Sequence, residues 1–276
     1  MKRYLSAIFV TLGIVCAAFA DPVSPPQRII SLSPSTTEIL YSLGLGDRII
    51  GVTTFCDYPE EAKNSPKIGG MSNPSLEAIV ALRPDLVVMS KDGNPREVEE
   101  RLRSLKIRTY VFTKRRMAEL PDGIRELSAA IGAAEQGELL AKRIEESIRA
   151  ESANARKQSP PRKVLFIVWP DPLLVAGPGT AIDDAFALLG LVNAASQAKT
   201  AYPRYSIEEV IRQAPDILFV GKASGMDMSV VSQGILKKLS SIPAVRNNAV
   251  CYTGDSLYRL GPRVVPGIKE LAACVR

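Results

Sequence analysis

The chain has 276 residues, 46% of them hydrophobic and 23% charged, with a net charge of +6 and no histidine. That balance suits a globular protein with a full core, built as one large or two medium domains. The missing histidine removes the commonest general base, zinc ligand and haem ligand together, and with them Ser-His-Asp and Cys-His catalysis in their usual forms.

In chain order, Lys2 and Arg3 precede an apolar stretch from Leu5 to Phe19, and Ala18-Phe19-Ala20 is a small-x-small cleavage site. Residues 1–20 therefore read as a secretion signal cut before Asp21. Cys16 would admit lipid attachment, but Gly13-Ile14-Val15 is a poor context for it. Cleavage takes away two positive charges and leaves +4, with Lys and Arg scattered apart from Lys114-Arg115-Arg116, so no nucleic-acid face is expected. No later stretch offers the 18 or so apolar residues that span a bilayer. The mature chain keeps Cys56, Cys251 and Cys274. An odd count gives no complete disulfide framework; Cys251 and Cys274 are free to pair or not, and Cys56 reads as a small, partly buried side chain.

A Pro-rich lead opens into a buried strand at 28–32, after which Ser35-Thr36-Thr37-Glu38 fits a capping box and starts a helix through Leu43. Gly44 and Gly46 break it, and a strand follows at 48–53. The loop from Thr54 to Asn73 is long for a connection, which marks it as a ligand loop. Helix 75–82, strand 85–89, helix 95–105 and strand 108–112 complete an alternation that predicts a parallel, doubly wound lobe. Next, Ala133 to Gln158 is a run of helix formers with acid-to-base pairs at Glu138–Lys142 and Glu145–Arg149. Leu140, Ile144 and Ile148 give it one narrow apolar stripe, and Ser159-Pro160-Pro161 ends it. The rhythm then returns: strand 163–168, helices 181–189 and 206–213, strand 216–220, helix 230–239, strand 249–252 and helix 262–274.

Ser75–Val88 and Ser206–Val220 align as an internal repeat, with Ser75/Ser206, Glu77/Glu208, Pro84/Pro215 and Asp85/Asp216 coincident. In each, a serine N-cap opens a short helix, proline ends it and a β-branched run follows. The fold class is thus α/β: two doubly wound, Rossmann-like lobes at 21–132 and 159–276, joined by a single long backbone helix at 133–158, with a ligand cleft between the lobes. Ligands in such sheets bind beyond the carboxyl ends of the strands.

Gly44-Leu45-Gly46 and Gly177-Pro178-Gly179 lack the third glycine of a dinucleotide fingerprint, and no phosphate-loop or nucleophile-elbow pattern occurs. Asp183-Asp184 and Glu99-Glu100 read as solvated helix faces. Phe55, Tyr58, Trp169, Tyr202, Tyr205 and Tyr258 all fall in predicted loops, where rings suit a flat, amphipathic ligand that stacks and hydrogen-bonds at its rim. Asp255 and Arg259, four residues apart, add a carboxylate and a guanidinium, read either as ligand contacts or as an ion pair within the protein. Glu77 and Glu208 are favoured in a first helical turn by the macrodipole alone, yet their matched placement also suits docking onto a two-fold partner.

Four stretches, Arg28–Ser35 (RIISLSPS), Gly51–Pro59 (GVTTFCDYP), the Ser-x-Glu…Pro-Asp repeat and Gly254–Arg263 (GDSLYRLGPR), resemble the periplasmic binding proteins of ABC importers in which one long helix joins two lobes, and especially their vitamin B12-binding members. The resemblance covers essentially all of the mature chain. It implies a periplasmic, monomeric receptor that captures a corrinoid, performs no catalysis and holds neither a cofactor nor a metal of its own. It implies Phe55, Tyr202, Asp255 and Arg259 as ligand-binding residues, to which the loop rings Tyr58 and Trp169 are added, Trp169 as a further stacking surface. Glu77 and Glu208 would be the acids that dock onto arginines of the two membrane subunits. Met71 and Ser90 depart from the pattern, standing where cobalamin binders carry tryptophans. Cys274 is expected to lack its family counterpart, because Leu189 occupies that place. Haem or a ferric siderophore is the alternative ligand, haem calling for a tyrosine such as Tyr58; a secreted α/β enzyme is the reading from another class.

Overall fold

The structure, a computed structural model, describes residues 24–155, 161–221 and 228–275. The expected secretion signal and the last residues of the expected linking helix, 156–158, lie outside them. The elements are β1 (Ile29–Ser31), α1 (Pro34–Ser42), β2 (Ile49–Val52), α2 (Leu76–Ala81), β3 (Leu86–Ser90), α3 (Arg96–Ser104), β4 (Thr109–Phe112), α4 (Leu120–Ala130) and α5 (Ala134–Ala155). They continue with β5 (Lys163–Pro170), β6 (Leu173–Val175), α6 (Ala181–Leu188), β7 (Val192–Asn193), α7 (Ile207–Gln213), β8 (Ile217–Gly221), α8 (Met228–Lys238), α9 (Pro243–Arg246), β9 (Val250–Thr253) and α10 (Val264–Cys274).

Two sheets form, one on each side of α5 in the chain. The first is parallel with order β2-β1-β3-β4; the second runs β6-β5-β8-β9, with β7 beside the start of β5 and only β6 antiparallel. Alternate residues of each central strand enter different cores. Val87 and Met89 of β3 pack with Ile79 of α2 and Leu102 of α3, while Leu86 and Val88 face the opposite side. In β8, Leu218 and Val220 pack with Val210 of α7 and Leu239, while Ile217 and Phe219 turn the other way. Period-two alternation of apolar residues on both faces is what a strand buried on two sides requires. The inward faces of both sheets share one core with Leu140, Ala141 and Ile144 of α5, so this long helix is packed along its apolar stripe.

Three local expectations change. The first helix is capped by Ser33, whose Oγ accepts from Thr36 N at 3.3 Å; Glu38 takes no part in a capping box and is buried. Helix α4 lies in a stretch where the sequence reading places no element, and it contains Pro121. The proline sits in the first turn, where its missing N–H has no helical partner to lose. Gly137 inside α5 is explained by this neighbour: a Cβ there would overlap Ser128 of α4. Cys251 and Cys274 are joined as a disulfide between β9 and α10, so Cys274 finds a partner other than the one at Leu189.

Candidate functional site

The carboxyl ends of the strands of both sheets face one cleft of about 560 Å3. Its first wall comes from Pro34 and Ser35 after β1, Phe55 and Met71 in the loop after β2, Ser90 and Asp92 at the end of β3, and Phe112, Lys114 and Arg115 at the end of β4. Its second wall comes from Val168 and Trp169 near the end of β5, Leu174 on β6, Tyr202, and Leu257 to Leu260 beyond β9. The size falls in the range of small-molecule sites, and the walls are mainly apolar with a few polar groups.

Of the expected ligand residues, Phe55, Trp169, Tyr202 and Arg259 are brought together here, with Tyr258 as a further ring. Phe55 is exposed, with about half of its surface, 51%, accessible. Trp169 lies on a strand, since β5 runs on to Pro170 and pairs Trp169 with Leu174; its indole N–H donates to the Asp171 carbonyl at 2.8 Å, which fixes the ring. Tyr58 and Asp255 do not line the cleft. The Tyr58 ring lies under the Arg263 guanidinium, 4.4 Å from its centroid, a cation–π contact. Tyr205 packs on the outer core of the second lobe. Met71 and Ser90 do line the cleft, at the places expected to depart from the family.

Beneath the cleft floor lies a buried charge network. Arg259 is ion-paired with Asp57 and, at 2.8 Å, with Asp255; Arg263 reaches Asp255 at 3.0 Å and Glu38 at 2.5 and 2.9 Å. Burial lifts the Glu38 carboxyl above its ordinary range, against the pull of its Arg263 hydrogen bond. The Asp255–Arg259 pair is thus an ion pair within the protein, with Arg259 also presented to the cleft. The sequence offered no signal for Glu38 and Asp57 as its partners, because they lie more than 200 residues away in the chain.

The cleft phenols are held neutral. Burial, then the Asp92 carboxylate, pushes Tyr202 up to about 12, and burial raises Tyr258 as well. Burial also raises the Cys56 thiol, which sits fully enclosed 3.2 Å from Thr37 Oγ1 and 3.1 Å from Thr53 Oγ1. Asp184, read as a solvated acid, instead binds Arg116 and accepts from the Met117 N–H at 2.8 Å.

Outside the cleft, Glu77 and Glu208 are exposed in the first turns of α2 and α7. Three residues on, Val80 and Ile211 hold matched positions in the repeat and are 44% and 39% exposed. Among the described residues, no helix is long and apolar enough to cross a membrane.

A vitamin B12-binding protein of Vibrio campbellii is 32% identical over 258 residues, covering 92% of this chain and 90% of its own. The crystal structure of the periplasmic vitamin B12-binding protein BtuF of Vibrio cholerae superposes with a TM-score of 0.80 at 26% identity, over 91% of this chain and 97% of that one. The periplasmic heme-binding protein RhuT from Roseiflexus sp. RS-1, in its apo form, does so with a TM-score of 0.81 at 32% identity, over 90% and 97%. Residues 29–257 match the periplasmic binding protein family, and the chain belongs to it.

Proposed function

We propose that this protein captures a corrinoid in the interlobe cleft, in the periplasm, and delivers it to the two membrane subunits of an ABC importer. It performs no chemistry on the ligand and carries no cofactor of its own. The observation that carries the reading is the gathering of Phe55, Trp169, Tyr202 and Tyr258 at facing strand ends around one mostly apolar cleft. Such a site suits a broad macrocycle whose faces stack and whose polar rim meets Arg259 and the serines. The naming of the Vibrio campbellii relative as a vitamin B12-binding protein supports the same ligand class. Haem is less well served. Tyr58, the tyrosine expected as its iron ligand, stands outside the cleft lining, with its ring under the Arg263 guanidinium instead.

Delivery rests on the matched acids. Glu77 and Glu208 sit clear of the cleft on like surfaces, each with an exposed aliphatic neighbour, which fits two equivalent basic sites on a two-fold partner.

The test uses Trp169, the single tryptophan of the chain. Cyanocobalamin is expected to quench its fluorescence with a Kd of about 1 μM or tighter, or roughly −8 kcal/mol. Saturating cyanocobalamin with neither quenching nor calorimetric heat, alongside tight binding of haemin, would overturn the corrinoid reading in favour of haem.

A further inference from the structure

The lobes are joined at two charged sites of opposite polarity. At one, the first lobe supplies the cation: Arg116 binds Asp184 of α6, and the Met117 N–H adds a bond to the same carboxylate. At the other, the first lobe supplies the anions: Asp57 binds Arg259 and Glu38 binds Arg263, while Asp255 ties the two guanidiniums together from their own lobe. Tyr58, next to Asp57, lies under Arg263, so the loop that carries Phe55 into the cleft is held by the second lobe through two adjacent residues.

The two sites differ in one respect. Arg116, Met117 and Asp184 do not line the cleft, whereas Arg259 does, although it is only 8% exposed. A guanidinium is planar, and its N–H donors leave in fixed directions. Bonds to Asp57 on one side and Asp255 on another therefore fix the plane in which this guanidinium is presented to the cleft.

We infer that Asp57 is a positioning residue of the ligand site, with Glu38 supporting Arg259 both directly, at 3.9 Å, and through Arg263. From the first lobe, Asp57 orients the second lobe's Arg259, so that recognition of a ligand acceptor and the spacing of the lobes become one coupled property. The ligand meets a correctly aimed guanidinium only when both lobes are in register. The Arg116–Asp184 site, cross-lobe but outside the cleft lining, contributes to the register without aiming either of its charged groups at the cleft. This inference rests on the cleft's being the ligand site, as proposed above.

The test is a double-mutant cycle read by Trp169 quenching with cyanocobalamin. Asp57→Asn is expected to weaken binding about tenfold, the order of one charge-assisted hydrogen bond. In an Arg259→Gln background the same change should have little further effect. Asp184→Asn should weaken binding less, and by the same factor whether or not Arg259 is present. Equal effects of Asp57→Asn with and without Arg259, or no effect at all, would overturn the inference. Glu38→Gln is the weaker probe, since its burial risks the fold; Asp57, at 29% side-chain exposure, is the variant to rely on.

A ligand-independent readout separates failure of the inference from failure of the cobalamin reading. Spin labels on exposed Ser104→Cys and Ser240→Cys report lobe spacing, because Cys56 is buried and Cys251–Cys274 is a disulfide. Asp57→Asn and Arg259→Gln should each broaden the distance distribution, and together no more than either alone. An unchanged distribution in both variants overturns the coupling whatever the ligand proves to be.

Discussion

Asp85 and Asp216 occupy the same place in the two lobes and hold the same piece of backbone. Asp85 accepts from the Gln27 and Arg28 N–H groups at 2.7 and 3.0 Å, and Asp216 from the Lys163 N–H at 2.8 Å. Each aspartate in turn donates its own N–H to the carbonyl of Arg28 or Lys163. The symmetry extends further: the Arg28 side chain donates to the carbonyls of Leu82 and Arg83, just past α2, and the Lys163 side chain to that of Gln213, the last residue of α7, closing the preceding helix. Arg83 and Ala214, just before the prolines, both take the left-handed conformation that ends those helices. The Pro-Asp pair of the repeat is therefore a splice that locks a helix end to the first residue of the neighbouring central strand.

Replacing either aspartate with alanine is expected to destabilise the protein by about 1–2 kcal/mol, the low end for bonds to a charged acceptor because both are exposed. The two effects should add, since the sites lie in separate lobes. Urea titration checks this; a change under a few tenths of a kcal/mol at both sites would show the splice to be decorative.

Gly137→Ala should destabilise the fold although alanine is the better helix former by about 1 kcal/mol. The new methyl would strike both the Oγ and the Cβ of Ser128, and rotation of the serine side chain relieves only the first. An overpacking penalty of about 1–3 kcal/mol is expected. Thermal unfolding gives the sign directly: a raised Tm would mean that α4 and α5 have room to separate.

Glu77→Ala and Glu208→Ala should leave cyanocobalamin affinity unchanged, because neither lines the cleft. Receptor-stimulated ATP hydrolysis in reconstituted vesicles should fall with either change and nearly vanish with both. The contribution should shrink in molar salt, where the screening length drops to about 3 Å. Full stimulation by the double variant would leave both acids as ordinary residues of a first helical turn.

Arg125 of α4 binds Glu138 at 2.7 Å and Glu145 at 2.8 Å on α5, and its hydrogen bonds hold both carboxyls below the ordinary glutamate range. A lowered folded-state pKa stabilises above the unfolded value and is lost as pH falls through the folded one. Stability should therefore decline as acid is added below about pH 4.5. Arg125→Met should be less stable at neutral pH and should flatten that acid limb. Parallel Tm-against-pH curves for the two proteins would exclude the linkage.

The alternating elements, the long helix α5 and the repeat could be read from the sequence because each rests on local rules. Capping serines, helix-ending prolines, two-residue alternation in strands and i,i+4 charge pairs all act within a few residues of one another. The aromatic side of the cleft was readable for a related reason: Phe55, Trp169, Tyr202 and Arg259 follow or end strands, and the ends of parallel strands gather on one edge. What only the tertiary structure decided involves partners far apart in the chain. Glu38 looked like a cap until Arg263 claimed it, and Asp184 looked solvated until Arg116 met it from the other lobe. Tyr58 left the cleft lining for Arg263, Cys274 found Cys251, and Gly137 made sense only against Ser128. Charges and close packing are satisfied by whatever the fold brings near, and sequence spacing carries no record of that distance.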